Sequence, residues 1–157
     1  MIFNYRSALK GLLVLALFAS CNNEAPETKV DPVETSKQLI TEHFLLLNAH
    51  ELKALVAQYD AKAKISTTDW DGESFGQSGA DQVFHQAFLI SPDVKYLVDN
   101  MIANDSMVVV EYDVVGLKEK DNSSIRYDVR NCSIFKIKNN KIASEATYSN
   151  TRLYHNR

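Results

Sequence analysis

The chain has little of what marks many protein classes. Its 157 residues include only two cysteines, Cys21 and Cys132, which excludes a disulfide-dense scaffold and a multi-cysteine zinc cluster. Five glycines and three prolines exclude a collagen-like or low-complexity chain. Neither sign of charge is in large excess. Seventeen basic against 20 acidic residues give a net charge of −3, which is no electrostatic footprint for nucleic acid. No apolar run reaches the roughly 20 residues that a membrane-spanning helix needs. The four histidines are dispersed and no His-x-x-x-His or Cys-x-x-Cys spacing occurs, so no metal or cofactor is expected. There is no nucleophile elbow and no glycine loop to cradle phosphate. What is present is 45% hydrophobic residues, enough for one domain with a tail.

The tail comes first. Arg6 and Lys10 precede an apolar run, Gly11 to Phe18, followed by the small residues Ala19 and Ser20 and then Cys21. This is the three-part pattern of a secretory signal. Phe18-Ala19-Ser20-Cys21 resembles the lipobox of bacterial lipoproteins, departing from it at Phe18, where an aliphatic residue is commoner. The resemblance implies a leader over residues 1–20 and a lipid on Cys21. It also implies export across the inner membrane and attachment to a membrane of the bacterial cell envelope. Loss of Arg6 and Lys10 takes the net charge from −3 to −5. Anionic headgroups would then repel the body, and the lipid must do the anchoring. With Cys21 lipidated, Cys132 has no intramolecular disulfide partner. Residues 22–30 are polar and aperiodic and are expected to form a flexible tether. The folded domain is expected over 31–157.

Asp31-Pro32-Val33-Glu34 reads as a helix start, with an aspartate cap, a proline in the first turn and a glutamate that can reach back. Val33, Ile40, Phe44 and Leu47 then repeat at helical spacing. Leu52, Leu55, Val56 and Tyr59 suggest a second, shorter helix. Residues 62–68 suggest a short strand and 69–77 a loop. Ser78-Gly79-Ala80-Asp81 reads as a cap opening a third helix, with Ala80, Val83, Phe84, Ala87 and Phe88 on one face. Strands are expected over 94–103, 107–117, 125–137 and 141–151, with turns at Asn104-Asp105 and Asn139-Asn140 and a polar loop between. Three helices before four long antiparallel strands imply an α+β domain, the helices covering one face of a curved sheet.

The ordered set, above all Asn48-Ala49-His50-Glu51-Leu52 and Phe135-Lys136-Ile137 followed by Lys141-Ile142, resembles the nuclear transport factor 2-like superfamily. The nearest branch is SnoaL-like and ketosteroid isomerase-like, and the resemblance spans residues 32–154. It implies a cone: a strongly bent antiparallel sheet wrapped around three N-terminal helices, with an apolar pocket at the wide end. It also implies that two copies can pair through the sheet face. The family's catalytic groups are not carried over. Thr67 stands where an acidic base is found, Phe44 where an oxyanion-binding tyrosine is found, and Ser133 where a protonated aspartate is found. Thr147 stands at the cyclase-type aspartate. A neutral hydroxyl is no acceptor base near pH 7, and phenylalanine cannot donate a hydrogen bond.

Alternation on the last two long strands gives an inward set of Tyr127, Val129, Asn131, Ser133, Phe135 and Ile137, then Glu145, Thr147 and Ser149. Glu145 could be a buried acid or base, or a carboxylate at the pocket mouth, solvated or paired with Arg130 or Lys141. His43, on the buried stripe of the first helix, could act as acid or base, or be hydrogen-bonded within the core. His85 is expected at the surface and His50 as a cap. Trp70, between Asp69 and Asp71, could stack on a ligand or plug the pocket. Phe44, Thr67, Trp70, Phe88, Tyr112, Asn131, Ser133 and Thr147 are the expected pocket lining. Two functions fit these residues. The first is a membrane-anchored module binding a small apolar ligand or a protein partner. The second is an enzyme acting on a small hydrophobic substrate, with Glu145 as acid or base.

Overall fold

The computed structural model describes residues 31–68 and 72–150, together with the backbone of 155–156. The leader, Cys21, the tether and Asp69-Trp70-Asp71 lie outside the described residues. Helix α1 runs from Pro32 to Ala49, and its Asp31 cap accepts a 2.9 Å bond from the Val33 amide. Ser36, Ile40, His43, Phe44 and Leu47 form its buried stripe. It ends at His50, whose φ of 56° is left-handed, a conformation histidine tolerates better than bulkier or β-branched residues do. Helix α2 spans Leu52–Ala57 and helix α3 spans Gly76–Ile90.

The strands are β1 (Tyr59–Thr67), β2 (Ser74–Phe75), β3 (Lys95–Ala103), β4 (Met107–Leu117), β5 (Tyr127–Lys138), β6 (Lys141–Ser149) and β7 (His155–Asn156). They form one open sheet in the order β2-β1-β6-β5-β4-β3, with β7 paired to β5. All neighbours are antiparallel except β1 and β6, which run parallel. The expected antiparallel sheet is corrected at that pair, since the crossover from β1 to β6 passes through α3 and four strands. The β5–β6 hairpin turns on Asn139 and Asn140, both at positive φ, as a two-residue turn with the right twist requires.

Tyr59 is the first residue of β1 and not the end of a helix. Helix α2 stops at Ala57, with Gln58 as its C-cap. Helix α3 starts two residues before the expected Ser78 cap, and no side chain caps it. Its first residue, Gly76, has φ +63°, and a Cβ there would collide with the Ala61 carbonyl oxygen. Glycine is thus required by conformation and by close approach together. The core packs Ile40, Phe44 and Leu47 of α1 with Leu55, Phe84, Val108, Val110, Phe135 and Ile142. The helices therefore sit in the concave face of the sheet, as the α+β expectation had them.

Replacing Gly76 with Ala is expected to lower stability by about 1–3 kcal/mol, the usual size of backbone strain at such a position. Urea denaturation measures it, and an unchanged midpoint would contradict the Gly76–Ala61 approach.

Candidate functional site

The inward faces of four neighbouring strands place one chain of polar side chains in the concave face. On β6, Glu145 is only 8% exposed. Tyr59, at the start of β1, donates its hydroxyl to Glu145 Oε2. Thr147, two residues on along β6, bonds Glu145 Oε1 at 3.2 Å. Ser133 of β5 lies opposite Thr147 in the ladder, and their hydroxyls are 2.7 Å apart. The Tyr112 hydroxyl of β4 reaches Ser133 Oγ at 2.9 Å. Tyr59, Glu145, Thr147, Ser133 and Tyr112 thus form a continuous hydrogen-bonded row across β1, β6, β5 and β4.

Burial shifts the acids in this row. The Glu145 carboxyl is pushed up by loss of solvent, against the pull of its bonds to Tyr59 and Thr147. The Tyr59 hydroxyl is raised well above its usual range, by burial first and by the Glu145 charge second. Tyr112 is pushed up to about 12 by burial and by Glu145, opposed by hydrogen bonds from Ser133, Asn131 and Thr147. Neither Arg130 nor Lys141 pairs with Glu145. Arg130 bridges to Asp99 and Asp113, and Lys141 donates to the Ala57 carbonyl. The expectation of a solvated carboxylate, or one paired with those cations, is corrected: on the inward face of β6 the nearest partners are hydroxyls.

Asn131 faces Tyr112 across the β4–β5 ladder. Its Oδ1 is the one buried side-chain oxygen or nitrogen without a hydrogen-bond partner among the described residues. Phe44 is 4% exposed and meets Tyr112 edge-on at 4.9 Å, so it is a wall of the core. Phe88 is half-buried and stacks on His50 at 4.4 Å. The His50 ring also reaches the Val94 carbonyl at 3.4 Å. Trp70 lies outside the described residues. His85 is exposed, as expected.

His43 is packed in the core. Its ring lies within 6 Å of the rings of Phe44, Tyr59, Phe84 and Phe135. Its Nδ1 is 3.0 Å from Gln58 Oε1, so the neutral ring donates there. Burial lowers its pKa to about 4, against the raising effect of Gln58. The sequence reading missed both Gln58 and Tyr59. The signal for Tyr59 was the alternation Tyr59, Ala61, Ala63, Ile65 against Asp60, Lys62 and Lys64.

A cavity of about 590 Å³ opens between α3 and the end of β4. Val83, Ala87 and Ile90 of α3 and Leu117 of β4 give it an apolar wall, while Thr67, Gln82 and Gln86 supply neutral polar groups. Lys118 and Glu119 stand at its edge. Thr67 pairs with Thr147 in the β1–β6 ladder, so the hydroxyl row passes beside this cavity. Of the expected lining, Thr67 alone borders it among the described residues. The α3 residues were read only as a core-facing stripe. No cluster of three or more histidine, cysteine or acidic side chains able to hold a metal occurs among the described residues.

A neutral, buried His43 makes stability depend on pH in a defined window. Its folded pKa lies below its ordinary 6.5, so its contribution is complete above that value and is lost as pH falls towards 4. The loss is about 3 kcal/mol. Urea titrations across this window should show it in the wild type and show a shallower slope in His43→Leu. An identical slope in both would contradict the placement.

The geometry agrees with known proteins. Residues 40–145 match the family model of the SnoaL-like domain. No curated protein matches the chain. Among solved structures, Bal32a from a soil-derived mobile gene cassette superposes with a TM-score of 0.68 at 15% identity, covering 80% of this chain and 100% of that one. SalBIII, an epoxide hydrolase/cyclase-like enzyme of pyran ring formation in the polyether salinomycin, gives 0.66 at 16% identity, covering 79% and 97%. A nuclear transport factor 2-like protein from Burkholderia xenovorans gives 0.65 at 14% identity, covering 77% and 93%. These likenesses establish the shared cone fold, and with two-thirds of its length inside the family model the chain belongs to the SnoaL-like domain family.

Proposed function

We propose that this protein is an exported lipoprotein whose SnoaL-like domain binds a small apolar ligand carrying a few polar groups, without the acid–base chemistry of the family's enzymes. One observation carries the reading: the cavity of about 590 Å³ has an apolar wall and neutral amide and hydroxyl groups. Ligand sites usually fall between about 300 and 1,000 Å³ and are lined in this manner. The hydroxyls of Thr67, Ser133 and Thr147 stand where the family's enzymes use carboxylates, which argues for binding over turnover. The lipobox-like Phe18-Ala19-Ser20-Cys21 supports an anchor on Cys21. No helix among the described residues is long and apolar enough to cross a membrane. Exposed Leu97, Ile102 and Tyr148 on the sheet's outer face support pairing of two copies there.

A second reading has one observation in its favour, the buried Glu145 with its raised carboxyl. In that reading compounds that bind are also converted, and Glu145→Gln stops conversion while binding survives.

A thermal-shift screen of the full-length protein against small apolar and amphipathic compounds tests the first reading. A ligand at a hundred times its dissociation constant adds about 2.7 kcal/mol, or roughly 10 °C for a domain of this size. Ala87→Phe, which fills the cavity from α3, should abolish the shift. No shift across a broad panel would contradict the binding reading and favour a protein partner. For the anchor, Cys21→Ser should move the protein from the membrane fraction to the soluble fraction. Retention on the membrane would contradict lipidation at that residue.

A further inference from the structure

The cavity beside α3 has polar groups of one kind along its helical side. Gln82 and Gln86 border it and are exposed. Among the described residues neither carboxamide has a hydrogen-bond partner. They stand four residues apart on α3, which is about 6 Å along the helix axis. Each carboxamide holds an acceptor oxygen and a donor nitrogen side by side. Val83 and Ala87 follow them on the adjacent ridge and, with Ile90 and Leu117, make the apolar wall.

The charged residues at the cavity edge are opposite in sign and already engaged. Glu119 accepts from the Tyr127 hydroxyl, and the Lys118 ammonium donates to the Asp121 carbonyl at 3.4 Å. A ligand with a net charge finds no counter-charge reserved for it, and its charge is costly against the apolar wall. A plain hydrocarbon suits the wall but strips water from both amides without replacing its bonds. The fitting ligand is uncharged and carries donors and acceptors in pairs, about one helical turn apart.

An extended peptide has that pattern. The N–H and C=O of one residue point to the same side, and the pair recurs at every second residue, about 6.7 Å on. The protein already makes one such pairing. The Asn48 side chain takes both the N–H and the C=O of Tyr96 on β3, at 2.9 and 2.8 Å. We infer that the ligand of this cavity is an extended, uncharged stretch of peptide, with Gln82 and Gln86 each pairing with the N–H and C=O of alternate residues. The side chains of those residues are apolar and enter against Val83, Ala87 and Leu117, while the residue between them faces water. The bordering residues of α3 run from Gln82 to Ser91, roughly 13 Å of helix, which is room for about three or four extended residues. The inference rests on the reading of the cavity as a ligand site and names the ligand's class.

Recognition of such a ligand divides in two. The carboxamide pairs read the peptide backbone and are indifferent to its sequence. The apolar wall reads alternate side chains and rejects a charge at either of them. Proline at a paired position lacks the N–H that the glutamine oxygen accepts and is rejected as well.

The probe is the blocked peptide acetyl-Leu-Ser-Leu-N-methylamide, which presents both leucines on one face and their N–H and C=O groups on one edge. Its control is the isosteric depsipeptide in which ester oxygens replace both leucine N–H groups. A nitrogen-15 nuclear magnetic resonance titration of the full-length protein in detergent follows the side-chain amide signals of Gln82 and Gln86. The peptide should bind and move both signals. The depsipeptide should bind about tenfold more weakly or worse. The double variant Gln82→Leu, Gln86→Leu should lose the preference between them. Equal binding of peptide and depsipeptide by the wild type, or a preference that survives in the double variant, would overturn the inference; the first comparison needs no altered protein. If neither peptide binds while small apolar compounds still raise the melting temperature of the wild type and not of Ala87→Phe, the inference fails and the binding reading stands. Failure of peptides and compounds alike removes both.

Discussion

The rest of the concave face depends on how one carboxyl is held out of water. Burying an acid without partners costs several kcal/mol, and burying its charge costs more. Glu145 is accommodated by Tyr59 on one side and Thr147 on the other. Those bonds bind β1 to β6, and the row continues through Ser133 and Tyr112 to β5 and β4. One polar seam therefore ties four adjacent strands from inside. It also fixes which side chains pack around it, since Phe44, Phe84 and Phe135 close over the apolar parts of the same residues. A seam of this kind specifies a unique arrangement because any slip in register would strand its members.

The seam divides the concave face by character. On the α1 side, His43 and its ring of aromatic neighbours fill the space, and burial keeps the histidine neutral against the raising effect of its bond to Gln58. On the α3 side the packing stops short, and Val83, Ala87, Ile90 and Leu117 face a cavity. Thr67 and Thr147, paired across the one parallel ladder, stand between the two regions. In this chain both positions carry hydroxyls, and the acid of β6 is Glu145, two residues before Thr147.

Much of this was legible in the sequence, for reasons that can be named. β4 begins and ends where the alternation from Met107 to Leu117 placed it. The inward set on β5 and β6 followed from period two, so Ser133, Glu145 and Thr147 could be placed in the concave face before any coordinates. Tyr59 could not be placed so easily, because it continues the helical spacing of Leu52, Leu55 and Val56 while also starting a strand-like alternation. The end of α2 at Ala57 decided between them. The parallel pairing of β1 with β6 leaves no periodic trace, since it joins segments some 80 residues apart. Nor does the start of α3, where a left-handed Gly76 replaces a side-chain cap. The Tyr59–Glu145 bond depends on that unseen pairing, so the acid could be nominated from sequence but its partner could not.

The most direct measurement is the titration of the Glu145 carboxyl by carbon-13 nuclear magnetic resonance in the full-length protein. Its burial among hydroxyls should place the midpoint above the ordinary 4.5 of a glutamate. A midpoint at or below that value would mean that the carboxyl is solvated or paired with a cation, and would contradict the polar seam on which the arrangement of the cone rests.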